Sequence, residues 1–273
     1  YFSQKLREIE QLNKSGKQII NLGIGSPDLA PHPDVIKVLQ ETSAADNVHA
    51  YQSYKGVQVL RNAIAEFYQT WYGVTLDPES EVLPLIGSKE GIMHICMTYL
   101  NAGDQALIPN PGYPTYSSAV KLAGGEPVYY DLTLAGNWEP DLEELEKTDL
   151  SKVKLMWVNY PHMPTGQVPS VRFFEALIAF ATRHQILICH DNPYSFILNE
   201  TPQSLLSVKG ANEVVVELNS LSKSSNMAGW RVGMLVGKKE RIEEVLRFKS
   251  NMDSGMYLPI QLAAAKALGL GKD

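Results

Sequence analysis

The feature that most constrains the fold of this chain is a regular alternation of short apolar segments with longer segments of helical period. Several short segments are continuously apolar and rich in β-branched residues, which is typical of strands buried on both faces. Eight strands are predicted, at Ile19–Ile24, Val82–Ile86, Gln105–Ile108, Pro127–Leu132, Val153–Val158, Ile186–Asp191, Val214–Leu218 and Val232–Val236.

Helices are predicted between the strands. Ser170 is a suitable N-cap for one of them, with Phe174, Leu177, Ile178 and Ala181 as its apolar stripe. Strands alternating with helices indicate an α/β fold with a mainly parallel sheet sandwiched by helices. The predicted helices are Leu60–Trp71, Glu90–Leu100, Tyr116–Leu122, Val171–His184, Glu240–Asn251 and one from about Pro259 to Leu268.

The two ends of the chain differ from the middle. Residues 1–45 contain a helix, one short strand and a Gly/Pro-rich stretch, and are expected to form an N-terminal arm and part of a smaller α+β domain. Residues 46–255 are expected to form the large domain. The segment 256–273 opens a helix and ends in Gly-Leu-Gly-Lys-Asp, so we expect it to begin a C-terminal small domain that is truncated here.

Charge and composition exclude several classes of partner. The net charge is -6 and no Lys/Arg run interrupts the mixed pattern, which argues against nucleic acid. No apolar stretch approaches the ~20 residues of a membrane span, and the start lacks a signal-peptide pattern. The two cysteines, Cys96 and Cys189, lie in apolar runs and are expected to be buried thiols in a cytoplasmic protein.

Chemistry is expected in the loops that leave the strands, since ligands of open α/β sheets bind outside the carboxyl ends of the strands. One such loop contains Ser220, Ser222, Lys223 and Arg231. A partly buried lysine can form a Schiff base, and the hydroxyl and guanidinium groups suit a phosphate. Taken alone, Lys223 would be interpreted as a solvated surface residue.

Two more loops carry suitable groups. Asp191 ends an apolar strand, where a buried carboxylate needs a cationic partner, although a turn or N-cap role is the simpler interpretation of an isolated Asp. Tyr194 follows three residues later. Gly87-Ser88-Lys89 opens a helix, and the free N–H groups of a helix N-terminus favour phosphate.

These strings resemble the class I/II, fold-type I aminotransferases that depend on pyridoxal 5'-phosphate. The match is specific in the serine-rich lysine motif, with Arg231 eight residues after Lys223, and in Asp191 with Tyr194. The resemblance implies that Lys223 forms the Schiff base with the cofactor, that Asp191 contacts the ring nitrogen and that Tyr194 contacts the ring 3-hydroxyl oxygen. It makes residues 46–255 the cofactor-binding domain.

The resemblance also implies further contacts and an assembly. Gly25 matches the glycine that lets the substrate carboxylate approach, and Tyr51 matches a tyrosine that reaches the phosphate of the partner subunit. A homodimer with shared active sites is therefore expected, and no metal site is predicted. The remaining implied cofactor contacts are Ser88, Lys89, Tyr113, Asn159, Ser220, Ser222 and Arg231.

One motif departs from the family pattern. Where the family has Asn-Pro-Thr-Gly, this chain has Met163-Pro164-Thr165-Gly166, and a thioether cannot donate the hydrogen bond that the family's Asn gives to the ring phenolate. His162 is interpreted as a loop residue rather than a replacement donor. A C-terminal Arg that grips the substrate carboxylate in the family is not found in these 273 residues.

The predicted function is transamination between an amino acid and a 2-oxo acid. A lyase or cyclase reaction on the same scaffold is an alternative, because fold does not settle the reaction type. A cofactor-sensing regulatory domain is a second, non-enzymatic alternative. The sequence does not name the amino acid.

Overall fold

The fold is one mixed sheet with helices on both faces. The computed structural model describes residues 2–23 and 25–271, which contain seven paired strands. The strands are β1 Val82–Leu85, β2 Gln105–Asn110, β3 Glu126–Asp131, β4 Val153–Asn159, β5 Leu187–Asp191, β6 Val215–Ser220 and β7 Gly233–Gly237. Their order in the sheet is β1-β7-β6-β5-β4-β2-β3. The helices are α1 Phe2–Lys14, α2 Pro33–Ser43, α3 Gln58–Tyr72, α4 Ser88–Tyr99, α5 Pro114–Leu122, α6 Leu142–Glu146, α7 Val171–His184, α8 Ala211–Val214, α9 Leu221–Ser224, α10 Lys239–Lys249 and α11 Leu258–Leu268.

The predicted α/β class with a mainly parallel sheet is confirmed. Strands β3, β2, β4, β5 and β6 are parallel to one another. Strand β7 is antiparallel to both of its neighbours, β6 and β1. All strands except β7 therefore present their carboxyl ends at the same edge of the sheet.

Apolar side chains bury both faces of the sheet. Helices α4, α5 and α10 cover one face, while α7 and α3 cover the other with two separate apolar clusters. Helix α7 shows why the sequence folds this way. Its predicted stripe, Phe174, Leu177, Ile178 and Ala181, is buried, and the hydroxyl of Ser170 accepts a hydrogen bond from the N–H of Phe173 at 3.1 Å.

Most predicted helices agree with the structure to within two residues at each end. The longest helix, α3, has 15 residues. In the part of the chain that the structure describes, no helix is long and apolar enough to cross a membrane.

The N-terminal region differs from prediction. The strand expected at Ile19–Ile24 is wrong for residues 19–23, and Ile24 lies outside the described residues. Ile20 and Leu22 are 83% and 90% exposed, and no strand among residues 2–23 and 25–271 pairs with this segment. Helix α2 was not predicted, although Pro33 at its first position is a signal for a helix start.

Candidate active site

The central strands bring distant loops together at the carboxyl edge. Gly233, the first residue of β7, pairs with Leu85 at the end of β1 and with Ser220 at the end of β6. The turn after β1 and the loop after β6 are therefore neighbours. Asn159 and Asp191 end β4 and β5 at the same edge.

Lys223 lies in the one-turn helix α9, directly after β6. The Ser220 hydroxyl caps this turn by accepting a hydrogen bond from the N–H of Ser222 at 3.1 Å. The ammonium donates to the carbonyl oxygen of Gly25 and lies 6.0 Å from the centroid of the Tyr194 ring. Burial and the charge of Arg231 lower the pKa of Lys223, which favours the neutral, nucleophilic amine.

Asp191 is buried with one oxygen left free. Its Oδ2 accepts a hydrogen bond from the Tyr116 hydroxyl at 2.7 Å, whereas Oδ1 has no hydrogen-bond partner among residues 2–23 and 25–271. Burial raises the pKa of Asp191 to about 6, although the hydrogen bond from Tyr116 opposes this. A buried acceptor without a partner is costly, so Oδ1 is suited to a cationic N–H donor.

Tyr116 contacts Asp191 in the candidate site, a role that was not predicted from the sequence. Its ring stacks on Trp157 with centroids 5.0 Å apart, as expected of a core aromatic residue. Its hydroxyl nevertheless orients Asp191. The available signal was that a buried tyrosine hydroxyl normally has a partner, but only the fold shows which partner.

The turn between β1 and α4 forms a cradle with no room for side chains. Gly87 has φ +82°, and a Cβ there would lie 2.2 Å from Nη2 of Arg231. A Cβ on Gly233 would lie 2.5 Å from the N of Ser88. Arg231 is held by the carbonyl oxygen of Ala228 at 2.8 Å, with the Ser222 hydroxyl 3.5 Å from Nη1. Guanidinium, hydroxyl and helix N-terminus together suit a phosphate.

The loop after β4 is held by its own side chains. Asn159 donates from Nδ2 to the carbonyl oxygen of Asp191 at 2.7 Å and accepts at Oδ1 from the N–H of Met163 at 2.9 Å. His162 contacts the Thr165 hydroxyl at 2.8 Å and the Pro111 carbonyl oxygen at 3.1 Å. Burial lowers the pKa of His162, so its neutral ring can donate to Pro111 and accept from Thr165.

Of the other predicted site residues, some lie beside the candidate site and others are exposed. Tyr113 is the N-cap residue of α5, and its ring lies edge-on to Tyr116 at 5.6 Å. Ser88 is half-buried in the cradle. Lys89 is exposed, and Tyr51 is 92% exposed on a segment paired with Gly255. Among residues 2–23 and 25–271, no hydrogen bond or ion pair joins the side chain of Lys89 or Tyr51 to Lys223.

These features fit pyridoxal 5'-phosphate. The unpartnered Oδ1 of Asp191 matches a protonated ring nitrogen, and the cradle at Gly87 matches the phosphate. The amine of Lys223, with its lowered pKa, is a nucleophile suited to the aldehyde carbon of the cofactor. Three separate chemical requirements are therefore met at one edge of the sheet.

Comparisons with known proteins agree with this geometry. The sequence model of the family described as aminotransferase class I and II matches residues 17–273. The LL-diaminopimelate aminotransferase of Dehalococcoides mccartyi is 44% identical, over 98% of this chain and 69% of that protein, and the one of Moorella thermoacetica is 42% identical over the same shares.

Solved structures show the same likeness. The apo structure of BacF from Bacillus subtilis matches with a TM-score of 0.94 and 39% identity, covering 99% of this chain and 69% of that one. The aspartate aminotransferase of Thermotoga maritima matches with a TM-score of 0.91 and 28% identity, covering 99% of this chain and 72% of that one.

Proposed function

Because this chain belongs to the class I and II aminotransferases, we propose that Lys223 is the residue that binds its cofactor covalently and moves the proton during amino transfer. The enzyme uses pyridoxal 5'-phosphate to exchange an amino group between an amino acid and a 2-oxo acid. The observation that carries the assignment is the position of the Lys223 amine, at the sheet edge that also holds the free oxygen of Asp191.

Each residue of the site has a separate role toward the cofactor. Pyridoxal phosphate supplies an electron-withdrawing ring that stabilises negative charge at the substrate α-carbon. Asp191 keeps a proton on the ring nitrogen, and Tyr116 fixes the orientation of that carboxylate. Arg231 and the N-terminus of α4 hold the phosphate, which keeps the ring in place over repeated turnovers.

Lys223 accepts a proton during the reaction, and Tyr194 donates a hydrogen bond. The lowered pKa of Lys223 lets its released amine take a proton from the substrate α-carbon near neutral pH. Burial and the nearby Asp191 raise the pKa of Tyr194 to about 12. Tyr194 therefore stays protonated and can donate its hydroxyl hydrogen to the ring oxygen.

Borohydride labelling tests the role of Lys223. Reduction of the cofactor-loaded enzyme should fix the cofactor to the peptide that contains Lys223, and Lys223→Ala should abolish both labelling and activity. The matched control is Lys209→Ala, which removes an exposed lysine and should change neither. A label on another lysine would contradict the assignment.

We propose LL-diaminopimelate as the amino donor. The support is the name shared by relatives that are 38–44% identical over nearly the whole chain. In a half-reaction followed by the absorption of the bound cofactor, LL-diaminopimelate should react faster than aspartate, alanine or N-succinyl-LL-diaminopimelate. A faster reaction with any of these three would overturn the proposed donor.

We also propose a cytoplasmic homodimer in which Tyr51 reaches the partner's site. Exposed apolar side chains surround the Gln52–Gly255 bridge, including Tyr51, Met252 and Tyr257, and such a patch marks an interface. Both cysteines are buried free thiols, as is usual in a reducing compartment.

Subunit mixing tests the shared site. Inactive Lys223→Ala and impaired Tyr51→Ala proteins, dissociated and reassembled together, should regain activity in mixed dimers, where one of the two sites has neither change. Without any regain, each site would be built from one chain.

A further inference from the structure

A second group of potential ligands lies beside α4, away from Lys223. Glu90 and His94 are one turn apart on α4, and Asp253 follows the end of α10. One ligand atom from each residue lies within 4.8 Å of the others. Nε2 of His94 is 3.1 Å from Oε1 of Glu90 and 3.7 Å from Oδ2 of Asp253.

Buried polar atoms of His94 and Asp253 lack hydrogen-bond partners among the described residues. His94 is 2% exposed, and neither ring nitrogen makes an aligned hydrogen bond within residues 2–23 and 25–271. Oδ2 of Asp253 is buried and likewise has no hydrogen-bond partner in those ranges. Buried polar atoms are normally paired, so the arrangement indicates a missing positive partner.

The second oxygen of each carboxylate already accepts a hydrogen bond from another group. Oε2 of Glu90 accepts a hydrogen bond from the N–H of Ile86, and Oδ1 of Asp253 accepts one from the buried ammonium of Lys249. These contacts leave Oε1 and Oδ2 directed at His94. Metal-binding carboxylates are oriented in this way, with one oxygen on the ion and the other on an outer donor.

We propose that Glu90, His94 and Asp253 bind a divalent first-row transition metal ion such as Zn²⁺. One imidazole nitrogen and two carboxylate oxygens suit such an ion. Bonds of about 2.0–2.1 Å in a tetrahedral site place ligand atoms about 3.3 Å apart. Two of the three separations, 3.1 and 3.7 Å, are close to this value, and the third is within 4.8 Å. The Glu90 and Asp253 side chains are 19% and 16% exposed, which leaves access for an ion and a water ligand.

A proton on Nε2 of His94 is the competing occupant. It could serve only one carboxylate oxygen at a time, however, and would leave either Oε1 of Glu90 or Oδ2 of Asp253 without a donor. A metal ion satisfies Nε2, Oε1 and Oδ2 together.

The ion would connect two elements that meet beside the phosphate cradle. Glu90 and His94 belong to α4, and Asp253 lies beyond α10. Because Glu90 also holds the N–H of Ile86, the residue before Gly87, the ion would stiffen the turn that forms the cradle. This role is separate from amino transfer and does not depend on it. No metal site was predicted from the sequence, in which Asp253 is far from α4.

Metal titration of the enzyme with its cofactor bound tests the proposal. After treatment with a chelator and its removal, the protein should bind one Zn²⁺ per chain, measured by metal analysis after gel filtration. Co²⁺ should give the visible absorption of a tetrahedral site. The apparent melting temperature should rise with Zn²⁺ concentration.

Three variants locate the site. His94→Leu and Glu90→Gln should each weaken Zn²⁺ binding by more than about 100-fold, beyond the usual effect of losing an outer contact. The second variant retains an acceptor for Ile86 N–H and stays informative where the first fails to fold. The control, His184→Leu, removes a partly exposed histidine beside Glu146 and should bind as the parent does. Failure of the parent to bind Zn²⁺, or undiminished binding by Glu90→Gln, would overturn the proposal.

Discussion

Asp191 is unfavourable for folding, yet its free oxygen suits the role proposed for it in the site. It lies next to His190 on β5, but the two side chains point to opposite faces of the sheet. His190 pairs with Glu217, whereas Asp191 contacts only the Tyr116 hydroxyl and keeps Oδ1 free of partners within the described ranges. The carboxylate is therefore poorly stabilised until a cation arrives, which explains the rise of its pKa to about 6.

This environment predicts a pH-dependent stability of the cofactor-free protein. Folding raises the pKa of Asp191, so its contribution to stability is present below about pH 4 and is lost as the pH rises through about 6. Relative to Asp191→Asn, the parent should lose up to about 3 kcal/mol of unfolding free energy between these limits. Urea unfolding of both proteins across this pH range measures the difference in unfolding free energy. If this difference did not change with pH, the raised pKa of Asp191 would be contradicted.

Met163 provides a second prediction at the residue scale. A thioether gives no hydrogen bond to the ring oxygen, whereas an amide could. Met163→Asn should lower the pH at which the bound cofactor changes colour by about one pH unit, the effect of one charge-assisted hydrogen bond. Spectrophotometric pH titration measures this.

His162 is the control for Met163. Both of its ring nitrogens already contact Thr165 and Pro111, so it is not free to replace the missing donor. His162→Gln should move the colour change much less than Met163→Asn does. An unchanged titration in Met163→Asn would place residue 163 away from the ring oxygen.

At the scale of elements, the turn from β1 into α4 is the proposed site of the cofactor phosphate. Gly87→Ala should weaken cofactor binding by at least about tenfold, because the new Cβ would displace Arg231. The control is Gly103→Ala, which has φ +89° but no heavy atom within 4 Å of the added Cβ. Both variants should lose about 1–2 kcal/mol of stability from backbone strain, but only Gly87→Ala should change cofactor affinity. Fluorescence titration measures the cofactor affinity of both variants. If the two variants bound the cofactor equally well, Arg231 would not be part of the phosphate site.

The elements also show what the sequence could and could not predict. Continuous apolar strands such as β4 and β5 were predictable because burial on both faces leaves a strong local pattern. The segment 19–23 has that pattern without a strand partner in the described residues, so pattern alone was insufficient. Lys223 and Asp191 were predicted from motifs, whereas the contact between Tyr116 and Asp191 depends on how α5 packs on β5.

At the scale of the whole molecule, a buried polar junction lies between the two apolar clusters on the α3–α7 face. Glu217 on β6 accepts hydrogen bonds from Tyr68 on α3 at 2.9 Å and from Ser204 at 2.8 Å, and pairs with His190 at 2.8 Å. The other ring nitrogen of His190 lies 3.0 Å from the carbonyl oxygen of Tyr160. The His190 ring therefore joins Glu217 on β6 to the backbone at Tyr160, within a fully buried group of polar side chains.

Removing the charge of Glu217 should therefore destabilise the whole domain. Glu217→Gln turns an amide N–H₂ toward groups that all donate, and loss of one partner of a buried pair typically costs about 3–5 kcal/mol. Glu213→Gln is the control, because it breaks an exposed pair with Lys238 and should cost about 1 kcal/mol or less. Urea unfolding measures the loss of unfolding free energy in both variants. Similar losses would mean that the buried pair stabilises the protein no more than the exposed pair does.

The position of β7 has a consequence for the order in which the molecule assembles. The cradle joins Gly87 to Arg231, and it exists only after β7 has inserted between β1 and β6. Contacts so distant along the chain form slowly, because a long loop must close before they contribute. We expect pyridoxal phosphate to find no binding site on partly folded chains, so that it slows unfolding while leaving the rate of refolding unchanged.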